Sequence, residues 1–294
     1  MEWKLWPKKA SRRGSIALIG SALAFSLMTV CIKQLNGRLP VAELVFFRSV
    51  FSLIITKLFM NNASISPWGS NKILLLIRGL LGTAALFCVF TAIDSLTLAT
   101  ATIIQYTYPT FIALLAWLIL GEKLRKRVFF AILLGWIGIQ IVVRPFWLND
   151  VSEELPFAAI GIALSGAILT ALAYITVRKL SEKEHPLVIV FYFPLTSIPI
   201  TLPFLVKEWV LPTSSEWVWV IGIGAFTQVG QILITHGLRI LPAAYAGSIN
   251  YTQVLFASLW GLIVFSEPLT LYIIIGAACV LGATLISLSD LPNF

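Results

Sequence analysis

Charged residues are scarce in this sequence. Asp, Glu, Lys and Arg make up 12% of its 294 residues, whereas about 25% is usual in soluble domains. Hydrophobic residues make up 59%, and apolar runs of about 20 residues recur from end to end. The composition excludes a water-soluble globular protein and predicts an all-α membrane protein. No polar stretch between two runs is long enough to fold as a separate soluble domain.

Cysteine and the motifs of enzymes are also scarce. Cys31, Cys88 and Cys279 lie inside apolar runs without CxxC spacing, so we expect neither a disulfide framework nor a metal site. HExxH, paired intramembrane aspartates, a Ser/His pair at useful spacing and a Gly-Lys-Ser/Thr nucleotide motif are all missing. The protein is therefore predicted to be no enzyme and no ATP-driven pump, and to need no cofactor. An intramembrane enzyme is the weakest alternative.

Positive charge is in excess, with 21 Lys and Arg against 13 Asp and Glu and a net charge of +8. The basic residues lie between the apolar runs and form no amphipathic stripe, which argues against nucleic acid as a partner. Anionic lipid of the bilayer is the expected partner. Five basic residues precede the first run and no small-residue cleavage site follows it, so we interpret this run as a retained helix.

Ten membrane-spanning helices are predicted from the apolar runs and the charges, prolines and asparagines that bound them. The polar stretch near Asn149 and Glu154 divides the chain almost at its middle. The predicted units are a first five-helix repeat over 1–146, a linker over 147–154 and a second repeat over 155–294. The predicted helices are 15–35, 40–59, 73–93, 97–120, 127–144, 155–178, 186–206, 216–238, 242–265 and 270–289.

The orientation follows from the positions of Lys and Arg, because cytoplasmic loops retain positive charge. Placing both termini in the cytoplasm leaves only Lys33, Arg38, Arg144 and Lys207 outside. We expect a bacterial plasma (inner) membrane, and a homodimer is left open.

An internal repeat is visible at an offset of 145 residues, from Gly79 aligned with Gly224 to Leu124 aligned with Leu269. Because each half has an odd number of helices, the second half must enter the membrane in the opposite orientation. This inverted-topology repeat is the plan of many secondary transporters. The matched pairs include Leu96 with Leu241, Ile104 with Ile249, Tyr106 with Tyr251, Thr107 with Thr252, Phe111 with Phe256 and Glu122 with Glu267.

These residues resemble the EamA-type ten-helix transporters of the drug/metabolite transporter superfamily. The resemblance covers nearly the whole chain and implies a central cavity that is lined by both halves and opens alternately to each side. One position departs from the repeat, because Val254 aligns with Pro109, and any kink there is expected in the first half alone. The resemblance rests on Pro40, Glu43, Phe47 and Arg48, on Arg78 and Gly79, on Ala99, Ala101 and Pro109, on Leu120 to Glu122, on Phe265 to Leu269, and on Gly135 and Gly276.

Polar side chains inside the predicted helices are candidates for substrate binding, since a polar group in hydrocarbon needs a partner or a cavity. The alternative for each is helix–helix packing. Gln228, Gln231 and Thr235 share one helical face. The remaining candidates are Gln105, Tyr106, Tyr174, Asn250, Tyr251 and Gln253.

Five charged residues are predicted to be structural or gating groups: Glu43, Arg48, Arg78, Glu122 and Glu267. Arg48 lies about 12 Å into the second helix and should need a partner, either Glu43 or a group on another helix. Direct anion binding is the alternative. Arg78 is interpreted as an interfacial anchor, with anion binding again the alternative. Glu122 and Glu267 end the fourth and ninth helices, where loop capping or a gate latch would explain them.

The predicted function is secondary transport of a small organic metabolite, amino-acid-like or another polar solute, by alternating access. A channel or a non-transporting membrane receptor is the alternative.

Overall fold

The computed structural model describes residues 8–35, 37–95, 104–143, 157–266 and 271–289, and these form helices joined by short segments. We number the helices α1 to α10. The ninth has two segments, and of the fourth the structure describes the part from Tyr108 onward as regular helix. The helices are α1 Lys8–Gln34, α2 Val41–Asn62, α3 Lys72–Ser95, α4 Tyr108–Leu120, α5 Lys126–Val143, α6 Phe157–Leu180, α7 Pro186–Glu208, α8 Glu216–Ile240, α9 Ala243–Asn250 with Thr252–Phe265, and α10 Leu271–Ser289.

Six of these helices are long and apolar enough to cross a membrane: α1, α3, α6, α7, α8 and α9. Large apolar side chains cover the outside of the bundle, as on α5, where Phe130 is 62% exposed. An exposed phenylalanine surface is costly in water but not in lipid. The ten predicted helices are confirmed, with boundaries that differ by several residues, most clearly at the start of α1.

The helices pack with a pseudo-two-fold symmetry that matches the sequence repeat. Helix α1 packs on α8, and its counterpart α6 packs on α3; α2 packs on α8, and its counterpart α7 packs on α3. Helices α2 and α7 pack on each other, as do α5 and α10. Each helix therefore contacts mainly the opposite half, so the two halves form one interlocked bundle.

The symmetry extends to single side-chain contacts. The Ser52 hydroxyl on α2 hydrogen-bonds to the Gln228 side chain on α8. At the equivalent positions of the other half, the Thr83 and Ser197 hydroxyls lie 2.7 Å apart. Ser52 and Ser197, like Thr83 and Gln228, are separated by the same 145 residues. Helix–helix hydrogen bonds of this kind stabilise membrane bundles, and here the repeat supplies them in pairs.

Both halves also interrupt their fourth helix at the same place. Tyr106 and Thr107 form a turn before α4, and Tyr251 separates the two segments of α9. The Thr107 hydroxyl donates to the Ile104 carbonyl at 2.6 Å, and the equivalent Thr252 hydroxyl donates to the Ile249 carbonyl at 2.8 Å. Such back-bonding bends helices. The expectation of a kink in the first half alone is therefore wrong. Both halves have the interruption, and in both a threonine hydroxyl bonds back to the preceding turn.

Close packing of α3 on α7 gives a first testable prediction. A Cβ at Gly79 would lie 2.8 Å from the Tyr192 carbonyl oxygen, which is backbone and cannot turn away. We expect Gly79→Ala to destabilise the protein by about 1–3 kcal/mol, measured as a lower unfolding temperature in detergent. Gly161→Ala on α6 is the matched control, because nothing lies within 4 Å of its Cβ. An equal loss in both variants would contradict the assigned packing.

Candidate functional site

Two arginines on consecutive helices are buried in the bundle. Arg48 on α2 is 6% exposed, and Arg78 on α3 is 3% exposed. Both side chains reach the same aromatic ring: the guanidinium carbons lie 5.3 Å (Arg48) and 4.9 Å (Arg78) from the Phe193 ring centroid. A guanidinium over an aromatic face is a favourable cation–π contact. Phe193 on α7 thus holds two positive charges close to each other.

The neighbours of the arginines are neutral groups. The Arg78 Nη2 donates to the Gln231 Oε1 at 3.0 Å, and Tyr174 on α6 is close enough for its hydroxyl to interact electrostatically with Arg78. Arg48 and Arg78 repel each other. We call Arg48, Arg78, Phe193, Gln231 and Tyr174 the arginine site. It draws on α2, α3, α6, α7 and α8, and therefore on both halves.

Among the described residues, no carboxylate lies within ion-pair distance of Arg48 or Arg78. The Nε atoms of both arginines and the Nη1 of Arg78 are buried without a hydrogen-bond partner there. Glu43 accepts a hydrogen bond from the Val210 amide instead, so of the two partners considered for Arg48 this one is not used. The interpretation of Arg78 as an interfacial anchor is wrong, because the side chain is buried. Burying an unpaired charge costs several kcal/mol. The two arginines therefore lower the free energy of unfolding of the protein.

A cluster of tyrosines extends the arginine site toward the interrupted helices. The Tyr108 ring lies 5.8 Å from the Tyr174 ring and 6.2 Å from the Tyr106 ring, centroid to centroid. Asn250 on α9 is buried beside Tyr108, and its Nδ2 has no partner among the described residues. The Gln105 Nε2 donates to the Thr170 hydroxyl at 3.4 Å, while its Oε1 is unpartnered there. These groups offer further polar contacts to a solute.

The other predicted binding residues pack against neighbouring helices or lie away from the arginine site. The Gln228 Nε2 donates to the Thr56 hydroxyl at 2.8 Å, and its other side-chain atom is used by Ser52, so it joins α8 to α2. The Thr235 hydroxyl donates to the Gln231 carbonyl at 2.7 Å. Tyr251 is fully buried, and a Cβ at Gly135 would overlap its ring. Gln253 is half-buried on the second segment of α9.

An ion pair joins the two halves at one end of the bundle. The Arg178 Nε at the end of α6 donates to the Glu122 Oε1 at 3.1 Å, and the Ala243 amide at the start of α9 donates to the Glu122 Oε2 at 2.9 Å. Arg178 also donates to the Leu238 and Arg239 carbonyls at the end of α8. We call Glu122, Arg178 and the Ala243 amide the latch. It ties the loop after α4 in the first half to three helices of the second.

The opposite end is tied as well. Arg38, before α2, pairs with Glu216 at the start of α8, and its Nη2 donates to the Leu211 carbonyl at 3.1 Å. The Val210 amide donates to the Glu43 Oε2 at 3.0 Å. Glu267, the repeat counterpart of Glu122, lies outside the described residues. Among the described residues, both ends of the bundle are therefore tied, and both arginines are buried between them.

Sequence reasoning missed Phe193, Tyr108 and Arg178. A signal for the first was present: at the repeat offset of 145, Phe193 is the counterpart of Arg48. Two equivalent residues that contact each other must lie near the pseudo-two-fold axis, so Arg48 and Phe193 mark the centre of the molecule. An aromatic residue on a membrane helix is too common for Phe193 to be selected without this geometry.

The sequence profile of the EamA-like transporter family matches residues 12–144 and 157–289 of the chain. The chain belongs to this family. The two matched segments are offset by the same 145 residues as the repeat and contain five helices each. The EamA resemblance drawn from the sequence is confirmed, and the protein is an integral membrane transporter built from two EamA halves.

Relatives of this family member come from bacteria and animals. The pseudopaline exporter CntI of Pseudomonas aeruginosa is 30% identical over 257 residues, covering 87% of this chain and 89% of the relative. Human solute carrier family 35 member G1 is 28% identical over 280 residues, covering 90% and 75%. A crystal structure of a protein with 16% sequence identity superposes with a TM-score of 0.83 over 93% of this chain and 95% of that one. That likeness supports the fold.

Proposed function

We propose that this EamA-family transporter is a secondary carrier of small organic anions, metabolites that carry one or more carboxylate groups. The observation that supports this is the arginine site, where two buried guanidinium groups lack a counter-ion among the described residues. Arginine binds carboxylates through two parallel hydrogen bonds, and these bonds are strongest where water is excluded. An amino-acid-like solute with an acidic side chain fits this site and the polar solute class expected from the sequence.

The protein matrix alone leaves the arginine site poorly neutralised. A bound anion would accept hydrogen bonds from the Nε atoms and the Arg78 Nη1, which have no partner among the described residues, and cancel the repulsion between Arg48 and Arg78. Tyr174, Gln231 and, farther along, Asn250 would then contact the uncharged part of the solute. The interaction free energy of the anion thus offsets the cost of burying the two arginines.

The proposed mechanism is alternating access, in which the two halves move relative to each other about the arginine site. Both termini are proposed to lie in the cytoplasm of a bacterial cell. Most Lys and Arg residues then fall in cytoplasmic segments, as is usual for membrane proteins. The latch then closes the cytoplasmic end, and the Arg38–Glu216 pair closes the outer end. Release of either tie would expose the site to one side only. We also propose that residues 147–154 link the two halves and that the protein has no enzymatic activity.

Pairs of solutes that differ by one charge test the proposal. Purified protein in liposomes is loaded with an unlabelled solute, and counterflow of its radiolabelled form is measured for glutamate and glutamine, aspartate and asparagine, and succinate and succinamate. We expect the more acidic member of a transported pair to be preferred by about tenfold or more, the effect of one charge-assisted hydrogen-bonded contact.

Equal transport of acid and amide, or preference for the amide, would contradict the anion assignment. Counterflow itself separates a carrier from the alternatives. A channel gives flux that does not saturate and shows no exchange, and a receptor gives no flux.

A further inference from the structure

Glu43 is a buried carboxyl group that the arginine site does not use. It lies in the first turn of α2 and is 0% exposed. Its Oε2 accepts one hydrogen bond, from the Val210 amide at 3.0 Å. Its Oε1 is buried and, among the described residues, has no donor at all. A buried carboxylate with a single neutral donor is poorly stabilised.

Little positive charge reaches Glu43 from the elements packed against it. Besides the partial positive charge at the start of its own helix, the charged side chain that acts on Glu43 among the described residues is Arg38, in the segment before α2, and Arg38 is itself paired with Glu216 at the start of α8. The segment 209–215, which carries Val210, contains no charged residue. Leu44, Leu39 and Val220 form a buried apolar cluster next to it.

Glu184 serves as a comparison for Glu43, because its surroundings stabilise an ionised carboxylate. It lies in the connection between α6 and α7, and its Oε1 accepts hydrogen bonds from the Ser70 amide, the Ser70 hydroxyl and the Asn71 amide at 2.6–2.8 Å. Partial burial acts to raise the pKa of Glu184, but these three donors together lower it. Three donors on one oxygen contrast with one donor for the whole Glu43 carboxyl group.

We infer that Glu43 is a proton-binding site, neutral while its contact with Val210 is formed, whose proton is linked to the anion at the arginine site. Glu43 and Arg48 are five residues apart on one helix, a rise of about 7.5 Å. An anion bound to Arg48 therefore favours the protonated form of Glu43, and a neutral Glu43 favours the anion. Linkage of this kind is reciprocal. Proton and anion then travel in the same direction.

Release of the proton requires the Val210 contact to break. Val210 lies in the segment between α7 and α8, which also carries the Leu211 carbonyl bound by Arg38. When the outer end opens, this segment and α2 separate and water reaches Glu43. The carboxyl group can then ionise by giving its proton to that water. Protonation of Glu43 is inferred from its burial and its single hydrogen-bond donor. The linkage to an anion rests, in addition, on the proposed function.

Infrared spectroscopy tests protonation without any solute. Protein in dodecyl maltoside, a detergent without carbonyl groups, is expected to show, at neutral pH, the carbonyl stretch of a protonated carboxylic acid. Glu43→Gln should lack this band while keeping an acceptor for the Val210 amide, and Glu184→Gln should retain it. If Glu43→Gln is not monodisperse, Glu43→Asp should shift the band instead. A wild-type protein without the band, or a band that persists in Glu43→Gln, would overturn the site.

Counterflow with glutamate as the probe tests the linkage. The apparent affinity of the wild type should fall about tenfold from mildly acidic to mildly alkaline pH, the size expected for two unit charges roughly 12 Å apart at an effective dielectric constant of about 20. In Glu43→Gln it should stay at the acidic value. The same pH dependence in both proteins would refute the linkage. No glutamate counterflow in either would overturn the proposed function and the linkage together, while the infrared result is unaffected.

Discussion

Replacing Arg78 by glutamine is expected to reduce counterflow of an anionic solute at least 100-fold without destabilising the protein. Arg78 donates to Gln231, and its buried Nε and Nη1 have no hydrogen-bond partner among the described residues, so a bound carboxylate would supply one. Removing one partner of a buried charged contact costs about 2–5 kcal/mol in binding. In the empty carrier, however, the same change removes a buried charge that no described carboxylate neutralises, and its repulsion of Arg48. The unfolding temperature should therefore stay the same or rise.

Two further variants make this result specific. Arg78→Lys keeps the charge but not the planar pair of donors, so an intermediate loss of counterflow is expected. Arg178→Gln removes an arginine that is paired with Glu122 and two backbone carbonyls, and it should lower the unfolding temperature. If Arg78→Gln lowers the unfolding temperature as Arg178→Gln does and leaves counterflow intact, Arg78 is a structural residue and the anion site is refuted.

Most of the fold was predictable from the sequence because it depends on apolar periodicity and on the repeat. Each half places the same residue types at equivalent positions, as with Thr107 and Thr252, and the structure gives them the same hydrogen bonds. The shared kink was still missed. Proline is the familiar cause of a kink, and the threonine back-bond that both halves share is visible only in the three-dimensional structure.

The site was less predictable because it lies where the two halves differ. Arg48 has Phe193 as its repeat counterpart, and Arg78 has Ile223. Such departures can be found by aligning the halves, but whether an arginine is paired depends on three-dimensional packing. Gln228 and Gln231 illustrate this. They share a helical face in the sequence, yet one bonds to hydroxyls of α2 and the other to Arg78.

The latch should control access from one end of the bundle. In a variant without Cys31, Cys88 and Cys279, a reporter is introduced as Ala244→Cys, at a position that is 7% exposed. Glu122→Gln keeps an acceptor for the Ala243 amide but loses the ion pair with Arg178. We expect labelling of the reporter by a membrane-impermeant maleimide to become about tenfold faster, the effect of roughly 1.4 kcal/mol. Glu182→Gln, at an exposed carboxylate of the same end, should leave the rate unchanged.

The repeat supplies a second control for the latch. Lys33 at the end of α1 is the counterpart of Arg178, and its Nζ lies 4.2 Å from the Phe265 ring centroid at the end of α9. In an inverted repeat these two cations belong to opposite membrane faces. Arg178→Gln should therefore accelerate labelling of the reporter as Glu122→Gln does, and Lys33→Gln should not. Equal acceleration by Lys33→Gln would mean that either change loosens the whole bundle, and the latch would then have no gating role.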